Sequence, residues 1–198
     1  GAVQCRLTLD GGEEGAHAKQ HIVVVAETRS DDPAALAKVI SRKVTEDIGV
    51  PKVESAGRKL AALNPRVRLE LHEEHATAAN LVEIARRYDF VVDGTDNFPA
   101  KFLINDACYF AERPFSHAGI LRFDGQLFTV LPGRSACYRC VFGGPPPAGA
   151  VPSCSQAGVL GSVAGVIGCL QATEVLKFLL GAGELLTDRM LVFDALRL

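Results

Sequence analysis

The chain has 198 residues, of which 48% are hydrophobic and 22% are charged, and its formal net charge is −2 with a pI near 6.2. This composition is that of one ordinary globular domain, large enough to bury a sizeable core. The balanced charge predicts no nucleic-acid partner, and no apolar run reaches the roughly 18 residues that would indicate a membrane-spanning helix.

The distribution of acidic residues and cysteines favours a cytoplasmic protein. The N-terminal region carries Asp10, Glu13 and Glu14 and no apolar stretch typical of a secretory signal peptide. Without an export signal, reduced thiols are favoured over disulfides. The six cysteines are scattered, at Cys5, Cys108, Cys137, Cys140, Cys154 and Cys169.

Hydrophobic patterns divide the chain into alternating strands and helices. The β-branched run at 22–26 predicts a buried strand, and a proline-containing helix start at 30–33 precedes a predicted helix at 34–44. Further along the chain the patterns predict helices at 52–63, 80–87, 99–112 and 161–180, and strands at 67–71, 90–92 and 190–193. This alternation predicts an α/β, Rossmann-like fold with a mainly parallel sheet.

An antiparallel hairpin extends the predicted sheet. Residues 114–131 alternate on both sides of Phe123-Asp124-Gly125, and Asp-Gly between apolar alternations is a typical hairpin signal. The following segment 144–152 contains three consecutive prolines and is predicted to be a loop.

Three glycines lie within the predicted helix 161–180. Gly161, Gly165 and Gly168 do not have the G-x-G-x-x-G spacing of a nucleotide-binding loop. We interpret them as small residues that let a buried helix approach its neighbours closely.

A series of short motifs follows from residue 91 onward. They are VVDGTDN (91–97), INDAC (104–108), DGQ (124–126), CYRC (137–140), AGVLGSVAGVIGCLQATEVLK (157–177) and LVFDA (191–195), with TEDIGVPKVESAGRKLAALNP (45–65) upstream. Together they resemble the ThiF/MoeB/HesA family, the prokaryotic relatives of ubiquitin-activating enzymes. The resemblance implies an adenylyltransferase that uses ATP to activate the C-terminal glycine of a ubiquitin-like sulfur-carrier protein of the ThiS/MoaD type, in a thiamine, molybdopterin or related sulfur-transfer pathway.

The resemblance also implies a nucleotide site. In the family the aspartate of the T-D-N motif lies against the ATP phosphates and Mg²⁺, which gives Asp96 that role and places Asn97 beside it. Lys52 matches a lysine that reaches the phosphates, although a lone lysine is more often a solvated surface residue. The alternative for Asp96 or Asn97 is an N-cap of the helix that follows. Lys101 stands where the family often has arginine, so a bidentate contact there becomes a point charge.

The cysteines carry two further implications of the resemblance. Cys137 and Cys140 correspond to half of a structural zinc site, and tetrahedral zinc requires four ligands. A second C-x-x-C pair does not follow here, so we expect an incomplete site; a reduced pair, a redox pair or completion by missing residues are the alternatives. Cys154 matches a cysteine that some members link covalently to the carrier, and its alternative is a structural or inert thiol.

The family's N-terminal nucleotide-binding unit is not visible in the sequence. The only early glycine cluster, at 11–15, has the wrong spacing, and its two glutamates would repel phosphate. We therefore expect a divergent strand–helix segment at 1–44, with an incomplete nucleotide-binding unit, followed by the family-like part at 45–198. The open sheet edge that this loss leaves, together with the apolar helix 161–180, predicts a homodimer. The alternative functions are a non-catalytic carrier-binding or dimerisation module and a thiol-based sulfur-transfer protein.

Overall fold

The computed structural model describes residues 2–9, 21–27, 51–147, 149–152 and 154–197. The strands in these segments are β1 (Ala2–Leu9), β2 (His21–Glu27), β3 (Val67–Arg68), β4 (Leu71–His72), β5 (Phe90–Asp93), β6 (Phe115–Leu121), β7 (Asp124–Val130) and β8 (Leu191–Asp194). The helices are α1 (Lys52–Leu63), α2 (Leu81–Arg86), α3 (Phe98–Ala111), α4 (Tyr138–Phe142), α5 (Cys154–Ala157) and α6 (Gly161–Leu180).

All eight strands belong to one sheet, in the order β3-β1-β2-β5-β6-β7-β8, with β4 also paired to β1. The parallel pairs, β2 with β5 and β5 with β6, lie at the centre. Antiparallel pairs extend the sheet on both sides, including the predicted hairpin of β6 and β7. The predicted Rossmann-like α/β fold with a hairpin extension is confirmed. The sheet is mixed instead of mainly parallel, because among the described strands two pairs are parallel and five are antiparallel.

The N-terminal part of the sheet differs from the prediction. Strand β1 pairs antiparallel with β2 and was not predicted, although Val3, Cys5 and Leu7 alternate with polar residues. Residues 22–25 of β2 in turn pair in parallel with all four residues of β5. The expectation of an open edge is therefore wrong at β5, because the N-terminal hairpin covers that edge. The predicted helix at 34–44 lies outside the described residues.

Element boundaries elsewhere follow the sequence patterns closely. Helices α1 and α6 have the predicted bounds, and β8 is shifted by one residue. The predicted strand at 67–71 is two short strands instead, each pairing with β1.

Helices cover both faces of the central strands. On one face, Val91 and Phe115 pack with buried residues of α2 and α3, including Leu81 and Ile104. On the other face, Phe90 and Val92 pack with Val175 of α6. Every residue of β5 is buried, as expected for a parallel strand that has helices on both sides.

The turn of the β6–β7 hairpin begins at Arg122, one residue before the predicted Phe123-Asp124-Gly125 turn. Leu121 pairs with Asp124, so Arg122 and Phe123 form the turn, and Arg122 adopts the left-handed region with φ of 55°. Gly125 is a strand residue opposite Ile120. A Cβ atom at Gly125 would lie 2.5 Å from Cγ1 of Ile167, so this glycine permits the close packing of α6 on β7.

The interpretation that the three α6 glycines permit close packing is wrong, because they do not face a neighbouring described element. A Cβ atom at Gly161, Gly165 or Gly168 would meet no described atom within 4 Å, and all three residues are exposed. They lie on the outer side of the helix, where no described element would meet an added Cβ atom. The close approach occurs at Gly125, on the strand beneath.

Helix α6 has one docked face and one apolar exposed face. Ile167 is fully buried on the docked side, whereas Val166, Leu176 and Leu180 are exposed on the outer side. By length and composition alone, this twenty-residue helix could cross a membrane. Polar residues interrupt its apolar sequence, which is why no uninterrupted apolar run of that length was predicted. Its docked face packs on the sheet as a core helix of a globular domain does.

Candidate functional site

The candidate site lies where β5 ends and α3 begins, at the carboxyl edge of the parallel strands. This edge is where open α/β sheets bind their ligands. Four residues, 94–97, connect the strand to the helix, and Asp96 is the exposed acidic residue among them. We refer to residues 94–97 as the Asp96 loop.

The structure assigns the N-cap of α3 to Asn97 and not to Asp96. Asn97 is the N-cap of α3, and its Oδ1 accepts a hydrogen bond of 2.9 Å from the backbone N–H of Ala100. Within the described residues, Asp96 makes no hydrogen bond or ion pair. The helix start is therefore satisfied by Asn97, which leaves the exposed Asp96 carboxylate for another role.

Asp93, the last residue of β5, anchors this loop from below. Its carboxylate is 1% exposed and accepts four hydrogen bonds from protein groups. Oδ1 accepts from the backbone N–H of Thr95 at 2.9 Å and from the Thr95 hydroxyl at 2.6 Å. Oδ2 lies 3.0 Å from Lys101 Nζ and 3.0 Å from His117 Nδ1. Because these contacts occupy both oxygens, Asp93 has no lone pair directed at a ligand.

Lys101 connects three elements rather than reaching outward. Its ammonium is buried in the second turn of α3, where it donates to Asp93 Oδ2 and, at 2.6 Å, to the backbone carbonyl of Ala118 on β6. A phosphate contact from Lys101 would require breaking this buried pair. The point charge at this position is therefore used to fix α3 against two strands.

The protonation states follow from burial and charge. Burial by itself raises the pKa of Asp93, but the charge of Lys101 and the hydrogen bonds from His117 and Thr95 outweigh it and hold this pKa well below its usual range. Burial lowers the pKa of His117, so its ring is neutral at neutral pH. A carboxylate only accepts hydrogen bonds, so Nδ1 of the neutral ring carries the proton. The buried cluster thus contains one negative and one positive charge.

Two of the contributing residues were not identified as site residues from the sequence. His117 belongs to none of the sequence motifs, yet it is fully buried, with its ring centroid 4.8 Å from Phe128 and 4.7 Å from Tyr138. Gln171 of α6 donates from Nε2 to the backbone carbonyls of Asp93 and Ser116, at 3.0 and 3.1 Å. These contacts bridge β5 and β6, and local sequence patterns contain no signal for them.

Asp93 did carry a sequence signal. It precedes Asp96 by three residues within VVDGTDN and ends a strand whose other residues are apolar. An acidic residue at the end of a fully buried strand requires buried partners, because an unpaired charge there is costly.

The two remaining nucleotide-site and thiol candidates are placed by their backbone only. Lys52 is the first residue of α1, and Cys154 is the first residue of the short helix α5. The side chains of both lie outside the described part of the structure. Their proposed roles remain predictions.

The C-x-x-C segment is docked onto the middle of α3. The Sγ atoms of Cys137 and Cys140 lie 3.3 Å apart. The backbone N–H of Tyr138 donates to Asn105 Oδ1 at 2.9 Å, and the Arg139 guanidinium forms a bidentate pair with Asp106, with both distances 2.6 Å.

Cys140 is the more exposed thiol of the pair, and its pKa is lowered. Hydrogen bonds from the backbone and side chain of Cys137 lower the pKa of the exposed Cys140. Among the residues that the structure describes, no third histidine, cysteine or acidic side chain joins the pair to form a metal-binding group. The geometry thus shows two adjacent thiols.

Comparison with known proteins gives a consistent family assignment. The model of the ThiF family matches residues 42–198. The chain is 47% identical over 157 residues to the sulfur carrier protein adenylyltransferase of Thermus thermophilus. The matched region covers 77% of this chain and 58% of that protein. It is 39% identical over 196 residues to the SAMP-activating enzyme E1 of Haloferax volcanii, which covers 96% of this chain and 72% of the relative.

Other relatives are longer than this chain. It is 49% identical over 149 residues to the adenylyltransferase and sulfurtransferase MOCS3 of Bos taurus, covering 75% of this chain but 33% of that protein. Among solved structures, E. coli MccB with MccA-N7isoASN has a TM-score of 0.65 at 18% identity, covering 87% of this chain and 53% of that one. This structural likeness supports the fold.

Proposed function

Because this chain belongs to the ThiF family, we propose that it catalyses ATP-dependent adenylation of the C-terminal glycine of a ubiquitin-like sulfur-carrier protein. The names of the Thermus and Haloferax relatives, a sulfur carrier protein adenylyltransferase and a SAMP-activating enzyme, support this choice of substrate. The chain spans 58% of the length of the Thermus relative and 33% of the length of the bovine relative.

The observation that carries the proposal is the separation of roles in the Asp96 loop. Asn97 caps α3 and Asp93 is occupied by Thr95, Lys101 and His117, so Asp96 is the acidic group of this loop that faces solvent. A single exposed carboxylate suits Mg²⁺, which keeps several waters and is bound through one or two carboxylates plus substrate phosphates. We assign Asp96 as the ligand of a magnesium ion that accompanies ATP.

The proposed reaction is adenylyl transfer, a nucleophilic displacement at the α-phosphorus of ATP. A terminal carboxylate oxygen of the carrier forms the new P–O bond, and the bond between the α-phosphorus and the bridging oxygen breaks to release pyrophosphate. Magnesium, when bound, supplies positive charge that neutralises the phosphate oxygens. Asp96 would hold that charge in place, and Lys52 at the start of α1 would add a second cation.

ATP use is supported by the adenylyltransferase names of the relatives, and a structure of MccB with ATP belongs to the same fold. Zinc would require Cys137 and Cys140 together with two further ligands. Cys154 is the proposed thiol for a covalent link to the carrier, as the family resemblance implies. These assignments are independent of the role of Asp96.

We further propose that the chain forms a homodimer. The edge of β5 is covered and no longer supports a dimer, but the outer face of α6 does. Val166, Leu176 and Leu180 are exposed on that face, and exposed apolar side chains grouped together favour association. Light scattering at tens of micromolar protein tests this proposal, and a monomer mass would reject it.

The proposed activity is tested by carrier-dependent exchange of labelled pyrophosphate into ATP. The variants are Asp96→Asn and, as a matched control, Glu112→Gln, which removes an exposed charge at the opposite end of α3. Asp96→Asn should reduce exchange on the order of a hundredfold, as loss of a transition-state electrostatic contact does, and leave the thermal melt unchanged. Glu112→Gln should exchange like the wild type.

Two results would contradict the proposed activity or the role of Asp96 in it. Equal exchange by Asp96→Asn and the wild type would remove Asp96 from the site. Absence of exchange in the wild type, with a normal thermal melt, would favour a non-catalytic carrier-binding module.

A further inference from the structure

We propose that Asp93 is a positioning residue: together with Thr95 and Lys101 it holds the Asp96 loop in the conformation that presents Asp96 to the nucleotide. The inference rests on the proposed function, because it assigns to Asp93 a task in the use of Asp96. It goes beyond that function by identifying which buried groups set the geometry of the site.

One carboxylate, that of Asp93, links the start of the Asp96 loop to the helix that follows the loop. Asp93 immediately precedes the loop, and Lys101 lies in the helix that follows it, with 3.0 Å between Lys101 Nζ and Asp93 Oδ2. Both side chains are buried, 1% and 8% exposed. An ion pair removed from water in this way is costly to break, because either partner alone would be left as an unpaired buried charge.

The same carboxylate also accepts hydrogen bonds from the interior of the loop. Thr95 lies directly before Asp96, and both its backbone N–H and its hydroxyl donate to Asp93 Oδ1. Two bonds to one oxygen fix the backbone and the side chain of Thr95 together. The side chain of Thr95 is thereby turned inward, and it is 6% exposed, whereas Asp96 is exposed.

Asp93 is itself held from the opposite face of the sheet and from the neighbouring strand. Gln171 of α6 binds the backbone carbonyl of Asp93, and His117 of β6 donates to its Oδ2. The anchor therefore cannot follow the loop if the loop moves. A loop of four residues that is bonded at its start, its interior and its end has few alternative conformations.

The test uses substitutions at Thr95, because Asp93→Asn would leave Lys101 buried without its counter-charge and risks unfolding. Thr95→Val keeps the branched shape and removes the hydroxyl, and Thr95→Ser restores the hydroxyl. The control is Thr129→Val, since the Thr129 hydroxyl is also buried and also donates to a buried carboxylate, Glu174, at 2.7 Å. Thr129 lies on β7, outside the Asp96 loop.

Two measurements separate positioning from general stability. The first is the Mg²⁺ concentration that gives half-maximal pyrophosphate exchange, which should rise about tenfold in Thr95→Val, the effect of losing a hydrogen bond to a charged group. Thr95→Ser should restore the wild-type value, and Thr129→Val should not change it. The second is deuterium uptake by the full chain, which should accelerate in the peptide containing 94–97 in Thr95→Val and not in Thr129→Val.

The outcomes are distinct from those of the proposed function. An unchanged Mg²⁺ requirement in Thr95→Val, or one shifted equally in Thr129→Val, would overturn the positioning role while exchange itself persists. If the wild type catalysed no exchange, the proposed function would fail, and deuterium uptake would decide alone whether the loop depends on Asp93. Uptake equal in Thr95→Val and the wild type would overturn the inference.

Discussion

Gly125 offers the most direct test of how α6 packs on the sheet. In Gly125→Ala the new Cβ would lie 2.5 Å from Cγ1 and 2.7 Å from Cδ1 of Ile167, and 3.4 Å from Cγ1 of Val163. Ordinary carbon contacts are about 3.5–4.0 Å, so α6 must retreat by about 1 Å or Ile167 must leave its preferred rotamer. Such overpacking costs about 1–3 kcal/mol of unfolding free energy.

Gly165→Ala is the matched control, because the chemical change is identical and the surroundings are open. No described atom lies within 4 Å of the position of the new Cβ, and the residue is inside α6. Alanine is favoured over glycine within a helix by about 0.5–1 kcal/mol, so this variant should be more stable than the wild type. The two substitutions are thus expected to have opposite signs.

Thermal and urea unfolding measure both variants. In a domain of this size each kcal/mol corresponds to a shift of about 2–4 °C in Tm. Gly125→Ala melting with the wild type would refute the close packing of α6 on β7. A loss of stability in Gly165→Ala as large as that in Gly125→Ala would show that the outer face of α6 is covered.

A double-mutant cycle locates the clash. Ile167→Ala alone should cost about 2–5 kcal/mol, since it removes a buried side chain. It also removes the atoms that the new Cβ would meet, so Gly125→Ala should cost less, or nothing, in that background. Additive effects of the two substitutions would mean that they do not contact each other.

Three further outcomes are expected. The folded-state pKa of His117 is lowered by burial, so the unfolded chain binds more protons and stability falls as the pH drops below the unfolded value of about 6.5; Tm should decrease from neutral to mildly acidic pH, and less so in His117→Phe. Iodoacetamide should label Cys140 before Cys108, because Cys140 is exposed with a lowered pKa whereas burial raises that of Cys108, and peptide mass mapping distinguishes them. Asn97→Ala should cost about 1 kcal/mol through loss of the α3 cap, and Asn97→Asp should cost less, as measured by urea titration.

Local patterns predicted the elements that depend on local properties. Helix α1 and helix α6 have the bounds expected from their apolar periodicity, and β5 is a short apolar run ended by an acidic residue. The family resemblance found Asp96, and the structure places it on an exposed loop at the carboxyl end of β5. That location follows from strand–helix order alone.

The groups that support Asp96 could not be predicted in the same way. His117 and Gln171 contact Asp93 across 24 and 78 positions of the chain, and neither has neighbours in sequence that indicate a polar partner. Their roles arise only when β6 and α6 pack beside β5.

The errors in glycine assignment have a related cause. The sequence shows where a side chain is missing but not which surface faces that position. Gly125 was assigned to a turn and the glycines of α6 to a tight contact, whereas the tight contact is at Gly125. Only the rotation of α6 about its axis, set by the burial of Val163 and Ile167, decides this.

Helix α3 also fixes the distance between the Asp96 loop and the segment that carries Cys137 and Cys140. Its first turn is capped by Asn97 beside Asp96, and eight residues later Asn105 accepts a hydrogen bond from the segment that carries Cys137 and Cys140. At 1.5 Å per residue the separation is about 12 Å along the helix axis, and each residue turns the helix by about 100°. A single insertion or deletion within this stretch would swing Asn105 and its neighbour Asp106 away from the cysteine segment. Changes in chain length among related proteins should therefore accumulate in the proline-rich loop at 143–152 and be excluded from α3.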